Sequence, residues 1–97
     1  MTIIEVIKNK KQFLSLLLLA DEQENMIDRY LERGTMYVLN DNGVKAECVV
    51  TDECNGILEI KNIATVPEYQ GKGYAKALID FIVKEYADKY SVLQVGT

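Results

Sequence analysis

Asn62-Ile63-Ala64-Thr65-Val66-Pro67-Glu68-Tyr69-Gln70-Gly71-Lys72-Gly73-Tyr74-Ala75-Lys76 is the stretch that organises this sequence. An apolar, β-branched run meets Pro67, which lacks a backbone donor and closes the strand, and then a turn with two glycines before a helical pattern starts. The first turn of a helix has N–H groups with no intrahelical acceptor, and the aligned peptide dipoles add partial positive charge there. Gly71 and Gly73 let the backbone approach a ligand, and Lys72 and Lys76 add charge. Together these features make a seat for a phosphate or pyrophosphate. The turn lacks the Lys-Ser/Thr ending of a Walker A loop and the spacing of the dinucleotide fingerprint. Two glycines near a helix start also suit a plain turn.

Working outward, the sequence predicts a strand over 2–7, then a capping box from Asn9 to Gln12 that opens a leucine-rich helix over 10–19. Asp21 and Glu24 repeat the capping pattern before a second helix that ends near Arg33, with Gly34 in the left-handed position that closes it. The period then changes to extended: strands over 36–39 and 44–51 flank the Asp41-Asn42-Gly43 turn, and a third strand runs over 57–66 after Asn55-Gly56. A helix over 71–90 carries Ala75, Leu78, Ile79, Ile82 and Tyr86 at helical spacing, and a short strand over 91–95 follows. The order β-α-α-β-β-β-α-β describes an α+β domain whose last helix crosses over between two parallel strands.

The 97 residues fit a single domain spanning 1–97, and no repeat or low-complexity linker divides it. A formal net charge of −4 gives no footprint for a nucleic acid or an anionic membrane, so neither is expected as a partner. The sequence has no histidine, which weakens histidine bases, Ser-His triads and most zinc sites; no metal is expected. Cys48 and Cys54 match no metal or redox spacing and read as reduced thiols, buried or half-buried. Met1-Thr2-Ile3-Ile4-Glu5 has neither the basic start nor the apolar run of a signal peptide, so a cytoplasmic location is expected.

Gln70-x-x-Gly73-x-Ala75 resembles the Q/R-x-x-G-x-G/A motif of the GNAT superfamily, the acyl-CoA-dependent N-acyltransferases. The strand before it, the Pro-x-Tyr step and the order of elements are similar to that family as well. The resemblance implies acetyl-CoA as cosubstrate and an amine acceptor, either a small molecule or a protein. It implies that the pyrophosphate is held by backbone N–H groups of Gly71, Lys72, Gly73, Tyr74 and Ala75, with Lys76 nearby and Gln70 fixing the loop. Ile63, Ala64 and Thr65, with Val66 at the strand end, would pair their backbone with the pantetheine amides. Thr65 stands where relatives often carry valine.

Acyl transfer to an amine needs a base, an oxyanion donor and a proton for the departing thiolate. With no histidine, a carboxylate is the natural base. Glu59 lies four residues before Ile63, and simple alternation puts the two side chains on one face. In several branches of the family a glutamate at the matching position takes the amine proton. The competing reading of Glu59 is a paired strand carboxylate. Asn62 is a further candidate for orienting substrate or water, and the N–H of Thr65 for the oxyanion. Tyr30, in the two-helix segment that borders the acceptor cleft in relatives, is read as core first and as a substrate contact second.

Family members usually continue past the last strand with a helix, which often supplies the acidic tyrosine, and a closing pair of strands. The sequence is expected to be a C-terminally truncated acetyltransferase domain, with those elements absent. Its last strand is expected to be an open edge that promotes a homo-oligomer. The alternative function is a non-catalytic coenzyme A-binding or oligomerisation module derived from such an enzyme. The acidic balance mildly favours a cationic acceptor.

Overall fold

The computed structural model describes residues 1–96. Five strands, β1 (Thr2–Val6), β2 (Thr35–Asn40), β3 (Val44–Asp52), β4 (Ile57–Thr65) and β5 (Val92–Val95), form one sheet in sequential order. Pairs β1–β2, β2–β3 and β3–β4 are antiparallel, and β4–β5 is parallel. Two short helices, α1 (Leu14–Ala20) and α2 (Glu24–Asp28), precede β2. The parallel pair requires a crossover, supplied by α3 (Tyr74–Tyr86).

Alternation along β2 sorts side chains between two cores. Met36 and Val38 face α1 and α2 with Leu17, Ile27, Leu31 and Val49. Tyr37 and Leu39 face α3 with Cys48, Leu58, Ile60, Leu78 and Ile82. Fully burying an aliphatic side chain of this kind contributes about 1.5–3 kcal/mol. The Tyr37 hydroxyl meets that of Tyr86 at 2.7 Å, and its ring packs edge-on against Phe81, so α3 is fixed to the sheet at its C-terminal half. Cys48 is buried, and burial pushes its thiol up to about 12; Cys54 is an exposed free thiol in a left-handed turn.

The sequential order of elements agrees with expectation, while several local details differ. Asn9 itself adopts the left-handed conformation (φ 53°) and makes no side-chain cap, so no capping box forms and residues 10–13 are a 3-10 turn. Asp21 accepts from the Gln23 N–H at 3.4 Å and does not cap α2, which ends at Asp28 and continues as turns. Gly34 does not have positive φ. It is required because a Cβ there would lie 2.8 Å from both the Tyr30 carbonyl and Val49 Cγ1. Helix α3 starts at Tyr74, since Gly71 and Gly73 are left-handed, and Ile79 on it is 36% exposed rather than core.

A register shift in β4 decides which face each of its polar residues occupies. Val49 pairs with Asn62 and Val50 with Ile60, so Lys61 is an extra residue without a partner on β3. The bulge reverses the facing of the strand. Leu58 and Ile60 point to α3, as does Ile63, whereas Asn62 points to α1 and contacts Leu17 and Tyr30. Glu59 and Ile63 therefore lie on opposite faces, contrary to simple alternation.

Candidate active site

Strand β5 pairs with β4 only over Ile57–Ile60, ending with the Gly96 N–H donating to the Ile60 carbonyl at 2.9 Å. Residues 63–65 have no partner on that side among the described residues. The Val66 N–H donates to the Lys45 carbonyl at 2.8 Å, so alternation turns the backbone of Ala64 inward as well, and that of Ile63 and Thr65 outward. An extended amide chain lying beside β4 would find its donors and acceptors at Ile63 and Thr65. Ala64 contributes to the wall through its small side chain, and the N–H of Val66 is already committed to β3.

A cleft of about 350 Å³ opens between this free edge and the start of α3. It is lined by residues 63–65, by Gln70, Gly71 and residues 73–76, and by Leu19 and Tyr69. Thus the sequence-derived cofactor residues converge on one cleft except for Val66 and Lys72, which do not line it. Gly71 and Gly73 have φ of 82° and 84°, a region costly for other residues, and a Cβ at either would meet no protein atom within 4 Å. The space above the glycines is thus left clear by the protein, while N–H groups of the first turn of α3 have no intrahelical acceptor. A pyrophosphate fits that donor set. Lys76 pairs with Asp80 at 2.8 Å on the surface, which offsets part of its charge.

Two side chains anchor this region. The Tyr74 hydroxyl donates to Asp41 Oδ2 at 2.7 Å, tying the start of α3 to the β2–β3 turn; this bond also raises the Tyr74 pKa. Lys45 Nζ sits 4.0 Å over the Tyr69 ring, bracing the turn after Pro67. Sequence reasoning did not include Tyr69 and Leu19 in the cofactor wall. The Pro-x-Tyr step pointed to Tyr69, whereas nothing in the pattern placed the end of α1 over β4.

Further along β4 lies a second cavity of about 460 Å³, with Glu59 and Lys61 in one wall and Asp21 and Tyr30 in another. The two cavities adjoin along β4 and at the end of α1, where Leu19 lines one and Ala20 the other. Glu59 contacts Lys61 Nζ at 2.7 Å and accepts from Gln94 Nε2 at 2.6 Å. The Lys61 contact, with help from Gln94, holds the Glu59 carboxyl below the usual carboxylate range, although partial burial opposes this. Asn62 is only 2% exposed and donates to the Leu17 carbonyl and the Tyr30 hydroxyl, each at 3.0 Å. Its hydrogen bonds hold α1 and the segment after α2 against β4, and Tyr30 is accordingly core with one edge on the cavity.

Residues 32–96 match the family model of the acetyltransferase (GNAT) domain. The chain belongs to the GNAT acetyltransferase family. Among curated proteins, it is 33% identical over 88 residues to the uncharacterized N-acetyltransferase YvbK of Bacillus subtilis strain 168. That match covers 89% of this chain and 57% of YvbK. Among solved structures, a GNAT family acetyltransferase from Elizabethkingia anophelis with acetyl-CoA bound is 31% identical and superposes with a TM-score of 0.89, over 99% of this chain and 64% of that one. The IAA acetyltransferase from Bacillus cereus ATCC 14579 is 35% identical with a TM-score of 0.85, over 99% and 66% respectively. The chain thus spans somewhat over half to about two thirds of the length of these GNAT relatives.

Proposed function

We propose that this GNAT chain transfers an acetyl group from acetyl-CoA to a primary amine by direct attack, with Glu59 receiving the amine proton. The observation that carries this reading is the adjacency of the two cavities. One combines the free β4 edge with the glycine turn, and the other holds Glu59. Acetyl-CoA, when bound, supplies the thioester carbonyl. The N–H groups at the start of α3 hold its pyrophosphate, Ile63 and Thr65 pair with the pantetheine amides, and the outward Thr65 N–H lies toward the developing oxyanion. An amine in the second cavity approaches along β4 from the Glu59 end, where the two cavities adjoin. Its nitrogen bonds to the carbonyl carbon as the C–S bond breaks, the ammonium proton passes to Glu59, and the thiolate takes a proton from solvent.

Calorimetric titration of acetyl-CoA into the chain, followed by measurement of coenzyme A release with a panel of amines, tests the proposal. Binding near one per chain with amine-dependent release is expected. A folded chain that neither binds nor releases coenzyme A would overturn it.

The second reading, a coenzyme A-binding module without catalysis, is favoured by the Lys61–Glu59 contact. A carboxylate so paired is a weak base. Binding without release in the same experiment would select this reading.

A further inference from the structure

The cavity that holds Glu59 is unusual for so acidic a chain, because its lining includes three cationic side chains, Arg29, Arg33 and Lys61, against two acidic ones, Asp21 and Glu59. The whole sequence carries a net charge of −4. Internal pairing accounts for only part of the cationic set. Lys61 is taken up by Glu59 at 2.7 Å. Arg33 reaches Glu53 at 3.3 Å with half of its side chain still exposed. Glu53 also accepts from Thr51 Oγ1 at 2.6 Å and lies 3.9 Å from Lys61, so its negative charge is divided. The Arg29 side chain makes no hydrogen bond or ion pair among the described residues. Asp21 meanwhile accepts from the Tyr30 hydroxyl at 3.2 Å and from the Gln23 N–H.

Arg29 and Arg33 are four residues apart on the turns that continue α2, and both border the same cavity as Glu59. A guanidinium presents a planar fork of donors that matches a carboxylate, and it does so with less hydration to remove than an ammonium. We infer that the acceptor is a small primary amine bearing a carboxylate, with the carboxylate on Arg29 and Arg33 and the amine toward Glu59. This rests on the acetyltransferase reading above and replaces the expectation of a cationic acceptor, which came from net charge averaged over the chain. At the cavity the acidic excess is absent: with Glu53 counted, three cationic side chains face three acidic ones, and Arg29 is left without a partner among the described residues. The volume of about 460 Å³ holds an amino-acid-sized molecule, and Ala20, Met26 and the Tyr30 ring give it an apolar surface for a side chain. A lysine side chain within a protein, or a polyamine, would bring no anion to the arginines.

The test compares phenylalanine and methionine with their amides and decarboxylated amines, as acceptors with saturating acetyl-CoA. In parallel, each is titrated calorimetrically into the chain held with coenzyme A. The free acids are expected to exceed their amides and amines by at least about tenfold in kcat/KM, near 1.4 kcal/mol. Arg29→Gln and the Arg29→Gln/Arg33→Gln pair are expected to remove both this preference and the calorimetric signal, while leaving coenzyme A affinity unchanged. A wild-type preference for the amides or amines, or variants that keep the preference for the acid, would overturn the inference and leave the acetyltransferase reading intact. Acid binding that is lost in the variants, without turnover of any amine, would support the site and defeat the acetyltransferase reading. Failure of every free acid both to bind and to turn over would overturn the inference, and acetyl-CoA binding and release with other amines would then judge the reading beneath it.

Discussion

Lys61 Nζ lies 2.7 Å from the Glu59 carboxylate, on the same face of β4, because the two residues are two apart and the bulge changes the facing only from Asn62 onward. The pairing keeps Glu59 ionised throughout the neutral range and lowers its basicity at the same time. Any proton it receives must come from an amine already forming its bond to carbon, when that nitrogen has become strongly acidic.

Glu59→Gln is expected to lower turnover by about 10²–10³-fold while coenzyme A affinity stays within about twofold. Lys61→Met should instead let the Glu59 pKa rise, since partial burial then goes unopposed except by Gln94. The acid limb of kcat/KM in Lys61→Met would consequently move to higher pH. pH–rate profiles of the three proteins decide the matter. Superimposable profiles for wild type and Glu59→Gln would remove this carboxylate from the chemistry.

Gly73 sits at φ 84° directly before α3, with clear space where a Cβ would stand. Gly73→Ala should cost about 1–2 kcal/mol from backbone strain. Gly73→Asp should add repulsion of a pyrophosphate, weakening coenzyme A binding at least about tenfold beyond the alanine variant. Lys72→Ala provides the contrast: Lys72 is exposed and does not line the cleft, so a change below about threefold is expected. Calorimetry together with thermal melts separates the strain from the charge effect. Equal affinities for wild type and Gly73→Asp would reduce the glycine turn to a connection.

Glu47 on β3 is fully buried, neither carboxyl oxygen has a hydrogen-bond partner among the described residues, and burial pushes its pKa up to about 8. An acid whose folded-state pKa lies above its unfolded value binds more protons when folded. Stability therefore falls as pH rises from the ordinary carboxylate range, near 4.5, toward 8. The loss is on the order of a few kcal/mol. Glu47→Gln should flatten this dependence, melting close to wild type at about pH 5.5 and well above it at about pH 8.5. Parallel slopes for the two proteins across that range would show that Glu47 is not the group responsible.

The strand–turn–helix stretch from Asn62 to Lys76 was legible because its chemistry is local: Pro67, the glycines and the helix start each constrain their own backbone. The β2–β3 and β3–β4 hairpins were legible for the same reason, since their turns carry Asp41-Asn42-Gly43 and Asn55-Gly56. Two features were hidden. The one sign of the bulge in the sequence is that the apolar alternation of Leu58 and Ile60 is broken by two adjacent polar residues, Lys61 and Asn62, and resumes at Ile63; simple alternation from Glu59 to Ile63 overlooks it. The failed capping boxes share another cause. Asn9 and Asp21 have suitable side chains, yet the left-handed backbone of Asn9 and the hydrogen bond of Asp21 to Tyr30 place them elsewhere. Tertiary contacts settled both, and the arginines of the second cavity became neighbours of Glu59 only through the turns after α2.

Asn62 shows what such a tertiary contact is worth. With its amide donating to the Leu17 carbonyl and to the Tyr30 hydroxyl, it connects three segments at a point 2% exposed to solvent. Asn62→Leu would leave the Tyr30 hydroxyl with one fewer donor and the Leu17 carbonyl without this one, a loss of about 1–3 kcal/mol. The Tyr30 pKa, raised to about 12 chiefly by burial, is held down in part by the Asn62 hydrogen bond, so it should climb further in the variant. Coenzyme A affinity should change little, because Asn62 lines neither cavity. Denaturant unfolding supplies the stability difference, and an ultraviolet titration of the tyrosines follows the Tyr30 hydroxyl. A variant of undiminished stability but greatly reduced turnover would give Asn62 a role at the substrate instead of in the packing of α1 against β4.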